Sequence, residues 1–139
     1  MRVMVLVKAN KDTEAGVMPS EKLLAEMGKF NEELVKAGVM LAGDGLHPTS
    51  KAKRVHFSAG GKTSVTDGPF TETKEHIAGY WVWQVKSMDE AVAWAQRIPF
   101  EDSHVDIRPF FEAEDFGAEF TPELRAQEER LRNEIAGRA

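Results

Sequence analysis

The chain has 139 residues, of which 42% are hydrophobic and 29% charged, and carries a formal net charge of −5. That length suits one hydrophobic core rather than two independent ones, and the composition excludes a disordered or fibrous class. With no cysteine there is no disulfide framework, thiol nucleophile or cysteinyl metal site, which fits a reducing cytoplasm. The acidic balance speaks against nucleic acid as a partner, because phosphate binding needs a concentrated Lys/Arg surface and only Lys51, Lys53 and Arg54 gather here.

The N-terminal Met1-Arg2-Val3-Met4-Val5-Leu6-Val7-Lys8 is far shorter than the roughly 20 apolar residues of a membrane span. It also lacks the cleavage pattern of a signal peptide, so residues 2 to 9 are expected to form a strand covered on both faces. Residues 10 to 18 read as a loop. Pro19-Ser20-Glu21 opens a helix whose Leu23, Met27, Phe30, Leu34 and Ala37 recur at helical spacing until Gly38. A second strand is expected over 39 to 46, ended by His47-Pro48. Two short runs, 53 to 58 and 62 to 66, flank Ala59-Gly60-Gly61 as a hairpin.

Residues 77 to 86 are rich in aromatic and β-branched side chains and read as the central strand. Ser87-Met88-Asp89-Glu90 fits a reciprocal capping box at the start of a helix bearing Ala91, Val92, Ala95 and Ile98. A last strand is expected over 104 to 111, and Thr121-Pro122 starts a polar helix to about Gly137. The order β-α-β, hairpin, β-α-β and helix is that of a ferredoxin-like α+β fold.

Two helices can cover one face of a four-stranded sheet, yet Val3, Val5 and Val7 point one way and Met4 and Leu6 the other. The second apolar face therefore calls for a cover. A copy of the chain across a twofold axis would supply it, making a homodimer that closes as a dimeric α+β barrel. The C-terminal helix is a competing cover, although its Leu124, Leu131 and Ile135 are sparse among charges. It is expected to lie across an edge or to reach over the partner.

Strand parity puts Trp81, Trp83 and Val85 in the core. Tyr80 and Gln84 then share the other face with Asp106 and Arg108 of the last strand, an arrangement fitting a ligand cleft or a polar dimer interface. None of the four histidines has the spacing of a zinc helix. His47 sits at a turn, His56 points to the surface or cleft, His76 reads as solvated, and His104 as a local charge contact. Asp67-Gly68-Pro69 specifies a turn: Asp67 can bond the backbone two residues on, Gly68 tolerates unusual dihedrals, and Phe70 anchors the loop by burial. On the functional reading, Asp67, Glu72, Lys74 and Glu75 form a polar rim, with Asp67 as acid, base or ligand acceptor. The expected ligand contacts are thus Asp67, Tyr80, Arg108, His47, His56, Gln84 and Glu72, with no metal and no cofactor.

The string from Thr66 to Glu75, followed by Gly79-Tyr80-Trp81 and Ser87-Met88-Asp89-Glu90-Ala91, resembles the DGPF branch of the YCII-related family. So do Gly38 with Gly45-Leu46-His47-Pro48 and the segment Val105-Asp106-Ile107-Arg108-Pro109. The likeness spans about residues 1 to 112, setting off residues 113 to 139 as a C-terminal helical extension. It implies a ferredoxin-like fold pairing as a dimeric barrel, a bacterial source and an association with sigma factors. Described relatives are proposed to use a His on the first helix with an Asp after the second; this chain has Met27 and Ile98 near those places. Three functions follow as expectations. The first is a small-molecule-binding homodimer with a regulatory role. The others are a cofactor-independent enzyme using Asp67, His47 or His56 for proton transfer, and an interaction module for a sigma factor.

Overall fold

The computed structural model describes residues 1–72 and 75–138, which form two compact units, Met1–Pro109 and Phe110–Ala139. The first unit contains β1 (Arg2–Lys8), α1 (Lys11–Glu14), α2 (Glu21–Lys36), β2 (Met40–Gly45), β3 (Lys53–Phe57), β4 (Thr63–Asp67), β5 (Ile77–Gln84), α3 (Met88–Ala95) and β6 (Val105–Pro109). The main sheet has the order β2-β5-β1-β6 with antiparallel neighbours throughout, while β3 and β4 make a separate two-stranded sheet. This is the ferredoxin-like α+β arrangement with an inserted hairpin.

The core lies on one face of the main sheet. Val3, Val5, Trp81 and Trp83 pack there against Phe30 and Leu34 of α2 and Ala91 of α3. Phe30 meets Trp81 and Trp83 edge-on, with centroids at 6.0 and 6.4 Å, a favourable aromatic geometry. Met27 and Ile98 pack against the same cluster, so the places of the expected His and Asp are filled by apolar side chains. Gly43 is required by packing: a Cβ there would stand 2.8 Å from the Trp81 ring, beside the irregularity between Met40 and Ala42.

Several expectations need correction. The segment 10–18 is not all loop, because Asn10 and Thr13 cap each other reciprocally and set up the single turn α1. At α3, Ser87 accepts from Glu90 N–H as expected, but the Glu90 carboxylate reaches one residue further back, to Lys86 N–H. Val92, expected on the apolar face of α3, is 43% exposed.

The second unit begins with a kinked 3-10 segment, Ala113–Glu119, broken at Gly117 where φ is +72°, and continues as α4 (Pro122–Ala136). Thr121 caps α4 by accepting from Leu124 N–H, with Pro122 just inside. Phe111, Phe116 and Phe120 form a ladder of rings at 5.2 and 5.3 Å, and Arg125 lies over Phe120.

Candidate functional site

The candidate residues fall into two groups carried by two different sheets. The first is on the main-sheet face turned away from α2 and α3. Cross-strand register there aligns Asp44, Tyr80, Leu6 and Asp106 in one row and Ala42, Val82, Met4 and Arg108 in the next. Tyr80 and Arg108 thus share the face with an apolar strip of Met4, Leu6 and Val82 between them. The Tyr80 phenol donates to Asp44 at 3.1 Å. That hydrogen bond, reinforced by the negative charge of Asp44, raises the Tyr80 pKa above its ordinary value. Lys8 lies 3.8 Å from Asp106. Arg108 is exposed and has no ion-pair partner among the described residues. Gln84 is engaged elsewhere, its amide donating to the Met1 carbonyl at 3.0 Å.

Asp67, His56 and Glu72 belong to the second group, on the hairpin and the loop after it. Asp67 does not turn back on its own loop, since Pro69, two residues on, has no N–H; it accepts instead from Lys53 at 2.6 Å. Glu72 lies 3.7 Å from Arg54, whose guanidinium covers the Phe70 ring at 4.0 Å. His56 is within 3.2 Å of the Thr66 hydroxyl. His47 is exposed beyond the end of β2, and Lys74 lies outside the described residues.

Packing, not dihedral freedom, explains the loop glycine. A Cβ at Gly68 would fall 1.7 Å from the Thr49 carbonyl oxygen, so only glycine lets the two segments touch. The Gly68–Pro69 peptide is cis, and Gly68 N–H donates to Ala52. Thr49 is the hub of this contact. Its hydroxyl accepts from Phe70 N–H at 3.1 Å and donates to one Glu14 oxygen, while its own N–H donates to the other at 3.2 Å. Phe70 is half-buried, with the His76 ring at a centroid distance of 6.0 Å. His76 is not solvated as expected: it is half-buried, and its Nε2 is out of contact with solvent and has no hydrogen-bond partner among the described residues.

Sequence reasoning missed Asp44, Lys8, Glu14 and Thr49. Asp44 acquires its place only through the β2–β5 register, and Glu14 only through a contact 35 residues distant. Parity along β1 could have found Lys8, two residues beyond Leu6. Among the described residues no cluster of His, Asp and Glu could hold a metal ion, and no helix is long and apolar enough to cross a membrane. A groove of about 390 Å³ in the second unit is lined by Phe111, Phe120, Arg125 and Arg132 and by none of the candidate residues.

The antiparallel four-stranded sheet, with α2 and α3 on one face and the strip of Met4, Leu6 and Val82 on the other, defines a ferredoxin-like α+β protein. The chain belongs to the YCII-related domain family, which it matches over residues 1–114. It is also 36% identical over 76 residues to an uncharacterized protein, R00369, of Rhizobium meliloti (strain 1021). The match covers 55% of this chain and 60% of that protein.

Proposed function

We propose that this protein, of the DGPF branch of its family, is a cytoplasmic homodimer that binds a small molecule between two facing sheets and acts as a regulator. The observation that carries this reading is the strip of Met4, Leu6 and Val82, flanked by Tyr80 with Asp44 on one side and by Asp106 and Arg108 on the other. Neither α2 nor α3 packs on that face. An apolar floor with a few placed polar groups is the usual make-up of a ligand site, and a second copy would supply the roof. Asp67, His56, His47 and Glu72 then belong to the rim.

The test is mass by light scattering at micromolar concentration, alongside a metabolite screen read as a shift in melting temperature. A two-chain mass and a shift abolished by Arg108→Ala support the proposal; a one-chain mass, or no shift across the screen, counts against it. A second reading, a contact surface for a protein such as a sigma factor, draws on α4, where Leu124, Leu131 and Ile135 are 45%, 48% and 65% exposed among charged neighbours. It predicts co-purification of that protein with the full chain and its loss on removal of residues 121–139.

A further inference from the structure

We propose that the ligand of this face is an anion with an apolar body, its carboxylate held by Arg108 while the hydrocarbon or aromatic part lies along Met4, Leu6 and Val82. The inference rests on the ligand-binding reading above and adds the chemical class. Each carboxylate on the face already has a partner: Asp44 accepts from Tyr80 at 3.1 Å, and Asp106 lies 3.8 Å from Lys8. Arg108 has none among the described residues. It stands directly opposite Met4 in the β1–β6 pairing, so its backbone is about one strand spacing, roughly 4.8 Å, from that of the apolar strip's Met4.

A guanidinium presents its donors as a rigid planar fork that matches a carboxylate in two parallel hydrogen bonds. Beside apolar side chains such a pair is less screened than in open water. The formal charge of the whole chain, −5, repels anions at long range, so an anion arriving here is selected by local cationic contact rather than by a general field. Tyr80 adds no competing charge: its proton is held toward Asp44, and its oxygen remains an acceptor for a hydroxyl or amide on the ligand.

The test is a titration of the isotopically labelled full chain by two-dimensional NMR with 4-phenylbutyrate and with its neutral amide, a pair alike in shape and different in charge. The acid should shift the amides of Met4, Leu6 and Val82 and bind about tenfold more tightly than the amide, the order expected for one charge-assisted contact. Arg108→Gln should abolish that difference, and Arg108→Lys should restore part of it. Equal binding of the two probes to this face would overturn the charge selection while leaving the face as a ligand site. A preference for the acid that survives in Arg108→Gln would overturn the role of Arg108. Absence of shifts on the face with either probe would overturn both this inference and the reading beneath it.

Discussion

The two sheets of the unit Met1–Pro109 use the same antiparallel ladder but are held in place by different means. In the main sheet Val3, Val5 and Trp83 are fully buried, whereas every residue of β3 and β4 is exposed, including Phe57 at 82%. The main sheet is therefore fixed by removal of apolar surface from water, worth roughly 25 cal/mol per Å². The hairpin has no such share in the core. It is secured by contacts at its base: Gly68 against Thr49, Phe70 N–H on the Thr49 hydroxyl, and Arg54 over Phe70. One region answers to volume, the other to a few directional contacts.

This contrast is open to measurement at each of its points. Trp83→Ala should cost about 3–5 kcal/mol, as for other buried large aromatics, and shift the urea midpoint of the whole unit. A midpoint unchanged would mean that the main sheet is not held by its core. Gly68→Ala should cost about 1–3 kcal/mol, because the new methyl must displace the Thr49 carbonyl. Its signature is faster hydrogen exchange at the amide of position 68 and at Phe70, with Val5 and Trp83 still protected. Thr49→Val should cost on the order of 1 kcal/mol by leaving Phe70 N–H without its acceptor, and Thr49→Ser should recover most of it. Exchange at Phe70 unaffected by Thr49→Val would remove the hub from the account. Lys53→Ala should change stability by less than about 1 kcal/mol, since both partners of its ion pair are largely exposed.

The face of the main sheet turned away from α2 and α3 gives the subtlest readout. Tyr80 is the only tyrosine, so the alkaline rise in phenolate absorbance reports this residue alone. Its pKa is raised by Asp44, which means the neutral phenol is favoured in the folded state. The associated stability is full below the ordinary tyrosine pKa and is lost as pH rises through the elevated folded value. Asp44→Asn should move the midpoint downward; a midpoint that stays put would show the Tyr80–Asp44 contact to be absent in solution.

The main sheet was legible because its signals are periodic. Alternation along β1 and β5 placed Val3, Val5, Trp81 and Trp83 on one face and Met4, Leu6 and Tyr80 on the other, and the structure bears this out. The spacing of Phe30 and Leu34 gave the covering helix in the same way. The hairpin base was not legible, because its contacts join residues far apart in sequence and follow no period. Asp67 illustrates this: local turn chemistry suggests a bond within the loop, whereas its partner, Lys53, stands 14 residues away across the β3–β4 ladder. The pairing of Tyr80 with Asp44 escaped for a related reason, since strand parity fixes a face but not the neighbour across it.

The contact of Thr49 with Gly68 also bears on how portable this loop is. The ten residues from Thr66 to Glu75 look like a self-contained cassette, but three of the features that shape them lie elsewhere: the carbonyl of Thr49, its hydroxyl, and the carboxylate of Glu14 that grips it. Transplanted alone onto another hairpin, the cassette would lose its mould. A successful graft would have to carry the turn at residues 48–54 and an acidic side chain in the place of Glu14.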